Sequence, residues 1–180
     1  AYTGSRVASL TISAYRSIFF GSTDGQTASG SYAISSSSAA LKLYFYADNG
    51  GSASGGTPTG NGYIAVGNVS FSTNGGAITF GKGNTWTPIT GTVVMGGGDV
   101  LFMGTSQSTL TTLGGAITFN GDVMINNSNG LSVDTSNGSG QGGAVTFAQN
   151  INSANSFSFV NSSVTWANAL SGAASGTGLN

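Results

Sequence analysis

The sequence of 180 residues contains no cysteine, no histidine and no glutamate, and charged residues make up only 5% of it. Globular domains usually contain roughly 25% charged residues. A chain without cysteine cannot be a small extracellular module held together by disulfides. A chain without cysteine or histidine also lacks the ligands that soft metal ions prefer. We therefore expect neither a bound metal ion nor a cofactor.

The scarcity of charge also limits the kinds of partner. Lysine and arginine together number 4, the acidic residues number 5 and are all aspartate, and the formal net charge is −1. So few scattered bases cannot form the positive patch that nucleic-acid binding requires. No apolar run approaches the roughly 20 residues of a membrane-spanning helix. The composition therefore predicts no nucleic-acid partner and no membrane span.

Glycine and small polar residues are abundant, and they surround short apolar runs. The chain has 31 glycines, yet 38% of its residues are apolar. Runs such as Val7–Ile12 alternate apolar with polar residues, and Asn-Gly dipeptides separate many of the runs. Asparagine and glycine both tolerate positive φ and therefore favour turns, while no stretch shows helical spacing of apolar residues. These features predict an all-β chain of short strands.

One motif repeats along the chain. The sequence Gly-Gly-Ala-(Ile/Val)-Thr-Phe occurs at Gly75–Phe80, Gly114–Phe119 and Gly142–Phe147. Looser units that end in an aromatic residue extend this pattern, with the aromatic residues at positions 20, 45, 71, 102, 119, 147 and 166. Their mean step of about 24 residues lies in the range of solenoid repeats. The repeats predict a parallel β-helix (β-solenoid) of about seven irregular coils.

A β-sandwich is the alternative fold, because it also consists of many short strands separated by turns. Each strand of a sandwich has its own environment, so near-identical units favour the solenoid. We expect residues 1–180 to form a single domain. Within it, residues 1–40 are a candidate N-terminal assembly or cap segment, and residues 171–180 are a polar tail that looks like a cut repeat.

The repeats carry a family resemblance. The passage Gly114–Val123 resembles the repeats of secreted bacterial β-strand-repeat surface proteins, which include filamentous-haemagglutinin-like adhesins and autotransporter passengers. Gly142–Asn150 is also similar to a motif of chlamydial polymorphic outer-membrane proteins. The broader resemblance covers roughly residues 62–172. It implies secretion, a right-handed parallel β-helix and a role at the bacterial cell surface in adhesion or envelope structure, and it carries over no catalytic residue.

The leading hypothesis is a non-catalytic extracellular structural protein. In this hypothesis the chain is a β-solenoid building block of a surface fibre, filament or adhesin stalk, and it assembles end to end. Its partners are copies of itself or the remainder of a longer surface protein. The candidate assembly residues are Tyr15, Ile18, Phe19 and Phe20, which belong to the most hydrophobic short run and would complete a neighbouring subunit's sheet.

Two further function classes stay open on the sequence alone. The second hypothesis is an adhesin-type module that binds glycans or a host surface, with Trp86 and Tyr63 as stacking residues. The third is a polysaccharide-degrading enzyme, which would need two carboxylates on either side of one glycosidic bond. Asp99 and Asp122 lie about one coil apart, so they are expected to stack within reach of each other. Because no further catalytic group accompanies them, we predict that the chain is not an enzyme.

Overall fold

In a computed structural model, the chain folds into short β-strands. The structure describes residues 1–21, 28, 30–48, 62–82, 98–138, 142–153, 157–160, 163–166, 170–171 and 174–176, and these residues contain no helix. The strands are β1 Ala8–Ser13, β2 Ile18–Phe20, β3 Tyr32–Ser35, β4 Leu41–Tyr46, β5 Ile64–Gly67, β6 Val69–Ser72, β7 Ile78–Phe80, β8 Val100–Met103, β9 Ser108–Thr111, β10 Ile117–Phe119, β11 Val123–Ile125, β12 Leu131–Asp134, β13 Ala144–Phe147, β14 Ile151–Ser153, β15 Phe157–Val160, β16 Ser163–Trp166, β17 Leu170–Ser171 and β18 Ala174–Gly176.

Every third strand belongs to the same sheet. Sheet 1 has the order β1-β4-β7-β10-β13-β16, sheet 2 the order β2-β5-β8-β11-β14-β17, and sheet 3 the order β3-β6-β9-β12-β15-β18. Neighbouring strands are parallel in all three sheets. In every coil the chain thus contributes one strand to each sheet, in the same order. This confirms the predicted parallel β-solenoid and excludes the β-sandwich, whose strands are antiparallel.

The described strands form six coils, whereas the spacing of the aromatic residues predicts about seven. The difference arises because Phe45 and Phe71 lie in β4 and β6 of the same coil, so that a count of aromatic residues counts this coil twice. Coil length also varies more than the sequence suggests. Stacked positions are 39 residues apart at Ser70 and Thr109, but 23 residues apart at Asp99 and Asp122. Connections of different length between the strands account for this variation.

The core consists of rows of side chains that stack from coil to coil. Along β4, Leu41, Leu43 and Phe45 are buried, while the residues between them face outward. In sheet 1, Phe80, Phe119 and Phe147 are in register. Their ring centroids are 4.9 and 4.8 Å apart, and the ring planes deviate by only 2° and 4°. These distances match the spacing of hydrogen-bonded strands, so the repeated motif places one ring directly above the next.

The two glycines of the motif occupy positions that exclude a side chain. Gly75 and Gly114 have φ values of 93° and 103°, a region that L side chains rarely adopt. The second glycines stack on one another where the coils approach closely. A Cβ atom on Gly115 would lie 2.2 Å from the carbonyl oxygen of Gly76, and one on Gly143 would lie 2.2 Å from that of Gly115. Close packing of backbone on backbone therefore requires glycine here.

A buried threonine closes each turn that leads into the motif. Its hydroxyl donates a hydrogen bond to the carbonyl oxygen of the second glycine, and its side chain is fully buried. The pairs are Thr73–Gly76 at 2.5 Å, Thr112–Gly115 at 2.5 Å and Thr135–Gly143 at 2.8 Å. The same geometry occurs in the first coil, where Ser36 donates to Ala39. The corner between sheets 3 and 1 is thus a repeated, hydrogen-bonded turn.

The stack of phenylalanine rings predicts a strong effect of truncation in the middle of the core. Phe119 is fully buried between Phe80 and Phe147, so Phe119→Ala leaves a cavity and should lower the free energy of unfolding by about 3–5 kcal/mol. Thr118→Ala is the matched control, because Thr118 faces outward next to it and should change stability by less than about 0.5 kcal/mol. Urea denaturation followed by circular dichroism measures both. Equal effects of the two variants would contradict the core assignment.

Candidate functional site

The corner at which sheet 1 leads into sheet 2 stacks Asp99, Asp122 and Asn150 in successive coils. Each of them lies directly before a strand of sheet 2. Asp99 Oδ1 accepts the backbone N–H of Asp122 at 2.8 Å. Asp122 Oδ1 accepts the backbone N–H of Asn150 at 2.9 Å and its side-chain N–H at 3.1 Å. As their spacing predicts, the two aspartates lie on adjacent coils, and hydrogen bonds join them through the backbone.

The hydrogen bonds of these polar side chains have a structural role. A carboxylate that accepts backbone N–H groups makes stronger hydrogen bonds than a neutral acceptor does, and here each such bond ties one coil to the next. Asp99 is only 2% exposed, whereas glycoside hydrolysis needs two carboxylates that flank a bound substrate. Within the described ranges, no three His, Cys, Asp or Glu residues are grouped as a metal site would require.

Tyr63, one of the two predicted glycan-stacking residues, lies in the same corner directly before β5. Its backbone N–H donates to Ser17 Oγ at 3.3 Å. Its ring packs against Phe19, with the ring centroids 5.8 Å apart and the planes inclined by 51°. Trp86, the other predicted glycan-stacking residue, lies outside the described residues. The structure therefore pairs Tyr63 with Phe19 and leaves the glycan hypothesis as a prediction.

The candidate assembly residues divide between the core and the surface. Ile18 is buried, and the ring of Phe20 packs on Phe45 and Phe71 at centroid distances of 4.9 and 5.4 Å. Tyr15 and Phe19 are exposed. Strand β2 pairs with β5 on one side and is the last strand of its sheet. Its second backbone edge is thus the part of this segment that a neighbouring strand would contact.

The end of the solenoid at the first coil lies within residues 1–40, the candidate N-terminal assembly or cap segment of the sequence analysis. We call it the N-terminal face and define it by the outer edges of β1, β2 and β3 together with Leu10 and Tyr32. Leu10 is in register with Leu43 and Tyr32 with Val69, and both of these partners are buried. Leu10 and Tyr32, however, are 37% and 53% exposed. Their positions belong to the core rows, but in this coil these two side chains are exposed.

Two further aromatic residues, Tyr44 and Tyr46, lie on the outer side of sheet 1. Their rings stack on each other with centroids 6.1 Å apart and planes inclined by 29°. Partial burial and, to a smaller extent, the neighbouring Tyr44 hydroxyl raise the pKa of Tyr46 above its ordinary value.

No protein-family model, no curated protein and no solved structure matches this chain. In the part of the chain that the structure describes, no helix is long and apolar enough to cross a membrane.

The polar column at the corner predicts a graded response to substitution. Asp122→Ala removes the acceptor of two hydrogen bonds from Asn150 and should destabilise the protein by about 1–3 kcal/mol. Asp122→Asn keeps an oxygen at the same place, so its cost should be clearly smaller. Unfolding in urea separates the two variants. Equal stability of wild type and Asp122→Ala would show that the column contributes nothing to holding the coils together.

Proposed function

We propose that this chain is a non-catalytic structural protein, a β-solenoid building block that assembles end to end in an extracellular fibre, filament or adhesin stalk. The observation that carries the proposal is the uncovered N-terminal face. The resemblance of the repeats to bacterial surface proteins supports the extracellular setting. Asp99 is buried and accepts a hydrogen bond from the backbone of Asp122 in the next coil. This structural role of the two aspartates favours the proposed function over polysaccharide degradation.

The backbone edges of the N-terminal face are suited to strand addition. An edge strand presents unpaired N–H and C=O groups, and natural proteins commonly protect such edges with charged residues or proline. None of the three edge strands contains a charged residue or a proline. At the corner after β3, Tyr2 pairs in parallel with Ser36, which supports the continuation of the same path by a further coil. These edges therefore support growth by another coil.

The apolar residues of the N-terminal face also favour association with another coil. Covering Leu10 and Tyr32 removes apolar surface from water, which contributes roughly 25 cal/mol per Å². At the other end of the sheets, β16, β17 and β18 are also terminal strands, and they run in the same direction as the rest. Joining these two different faces is a heterologous contact that does not close on itself, so it produces an open-ended fibre.

Charge does not oppose this assembly. The formal net charge of the chain is −1, so copies that approach one another experience little long-range repulsion. The partner that fits the N-terminal face is therefore another parallel coil, supplied by a second copy or by the remainder of a longer surface protein. In the isolated chain the second copy is the available partner, and association should rise with concentration.

The proposal predicts that one charge on the N-terminal face stops association. Leu10→Lys places an ammonium group where the next coil would stack, and the chain should then remain monomeric. Leu113→Lys is the matched control, because Leu113 is similarly exposed, at 44% compared with 37% for Leu10, but lies in the turn between β9 and β10. Sedimentation velocity over a concentration series, with negative-stain electron microscopy, measures assembly, and far-UV circular dichroism verifies the fold.

Wild type and Leu113→Lys should both form extended particles that lengthen with concentration. A wild type that stays a discrete short particle at every concentration would contradict self-assembly. Association of Leu10→Lys at the wild-type level would show that the N-terminal face is not the contact surface.

A further inference from the structure

All 6 tyrosines of the chain lie within residues 1–63, and three of its 4 basic residues lie within residues 1–42. Strands β1 to β6 form the first two coils, so this chemistry is confined to one end of the solenoid. The tyrosines are Tyr2, Tyr15, Tyr32, Tyr44, Tyr46 and Tyr63, and the three bases are Arg6, Arg16 and Lys42.

The outward side of β4 carries a row of these residues. Lys42, Tyr44 and Tyr46 alternate with side chains that are buried in the core. Lys42 is exposed, and the two partly buried rings have their centroids 6.1 Å apart. Strand β4 pairs with β1 on one side and with β7 on the other. The row therefore lies on the outer face of sheet 1 and not at the end of the solenoid.

The row continues around the corner into sheet 2. The backbone N–H of Asp48 donates to the carbonyl oxygen of Arg16 at 2.6 Å, which places the exposed Arg16 one coil below the end of the row. Beyond the corner, the ring of Tyr63 packs against Phe19 in the coil below, with the centroids 5.8 Å apart. We use the name aromatic belt for the side chains of Arg16, Phe19, Lys42, Tyr44, Tyr46 and Tyr63.

The fold does not require aromatic residues at these positions. Thr79 is in register with Tyr44, and Thr118 and Thr146 occupy the same position in the next two coils. Directly before the strand of sheet 2, the later coils have aspartate or asparagine where the second coil has Tyr63. Small polar side chains therefore satisfy the stacking of the coils, and the rings of the aromatic belt need another explanation.

Positive charge accompanies these rings. Arg16 and Lys42 are exposed, and neither forms an ion pair with a described residue. Asp48 is the single acidic residue in the described part of the first two coils, and it is only 1% exposed. A negatively charged partner would therefore meet two cations and no described carboxylate at this surface, which favours its approach.

We propose that the aromatic belt binds an acidic polysaccharide. Tyrosine has an apolar ring and a polar tip, so the ring can stack against the C–H groups on one face of a sugar ring while the hydroxyl donates to a sugar oxygen. The carboxylates of the sugar chain pair with Arg16 and Lys42 in charge-assisted hydrogen bonds. This site goes beyond the proposed structural function and does not depend on it.

The width of the aromatic belt favours this partner over a folded protein. On either side of Tyr44, the in-register outward residues are the small Thr11 and Thr79. The rings thus form a ridge that is one strand wide and that continues along the coil. A single extended sugar chain matches such a ridge, whereas a stable contact with a folded protein usually covers about 800 Å² on each partner.

Titration calorimetry of the full chain with an oligogalacturonate, which carries one carboxylate on each sugar, tests the proposal. Binding should weaken as the salt concentration rises, because salt screens the charge pairs. The methyl-esterified oligogalacturonate keeps the sugar rings but loses the charge, so it should bind more weakly. Absence of oligogalacturonate binding, or equal binding of the esterified form, would overturn the proposal.

Two other polyanions distinguish an acidic polysaccharide from other partners. Polyglutamate carries carboxylates without sugar rings, and oligothymidylate carries phosphates and bases. Both should bind more weakly than the oligogalacturonate. Equal or tighter binding of either would overturn the proposal, because the surface would then recognise charge alone or a single-stranded nucleic acid.

Substitutions on β4 locate the site. Tyr44→Ala/Tyr46→Ala removes two rings and should weaken oligogalacturonate binding at least about tenfold, whereas Tyr44→Phe/Tyr46→Phe keeps the rings and should retain most of the affinity. Tyr32→Ala is the matched control, because Tyr32 is exposed but lies on the N-terminal face. An equal loss in Tyr32→Ala would overturn the assignment to the aromatic belt.

The charge contribution has its own pair of variants. Lys42→Ala should weaken binding and make it less sensitive to salt, whereas Arg6→Ala removes an exposed base before β1 and should have the smaller effect on both. Far-UV circular dichroism verifies the fold of every variant. Sedimentation velocity should show unchanged association for the β4 variants, so a failure of polysaccharide binding is distinguishable from a failure of end-to-end assembly.

Discussion

The structure depends on one constraint, which is that each coil lies on the next at the spacing of hydrogen-bonded parallel strands. Each strand residue therefore lies about 4.8 Å from its in-register partner in the neighbouring coil. Flat rings satisfy this spacing, as Phe80 and Phe119 show at 4.9 Å. The closest backbone approach leaves space for glycine alone, as at Gly115. A carboxylate at Asp99 reaches the backbone of the coil above it. The repeated motif thus supplies the residues that stacking of one coil on the next requires.

The same constraint explains the unusual composition and the uncovered end. Outward-facing residues need only to fit the residues above and below them, and small hydroxyl side chains such as Ser70 and Thr109 do so with a mutual hydrogen bond at 2.5 Å. Charges of one sign stacked at this spacing would repel each other, which is consistent with a charged fraction of only 5%. The first coil has no described strand on its outer side, and Leu10 and Tyr32 are therefore exposed on the N-terminal face.

Sequence analysis predicts the middle of sheet 1 well, because β7, β10 and β13 carry the repeated motif with two inward apolar residues each. It misses β3, β9, β14, β17 and β18, which are all short, and β9 in addition is a largely polar segment. In β9 only Leu110 is a large inward side chain, so the alternation is too short to recognise. The burial of a row position depends on the neighbouring coil. Leu10 and Leu43 therefore look equivalent in the sequence, although only Leu43 is covered. The sequence points to residues 1–40 as an assembly or cap segment, but the exposure of Leu10 and Tyr32 on the N-terminal face could not be predicted from it.

The most direct test of the central claim is disulfide formation between designed cysteine pairs, which is unambiguous because the chain has no cysteine. Thr79 and Thr118 are in register on adjacent strands, within the Cα separation that a disulfide tolerates. Thr79 and Ala116 lie on the same sheet but two residues out of register, at roughly 7–8 Å. The account predicts rapid oxidation of Thr79→Cys/Thr118→Cys and slow oxidation of Thr79→Cys/Ala116→Cys, measured by mass spectrometry. Equal rates, or faster oxidation of the second pair, would contradict the stacked register on which the whole structure depends.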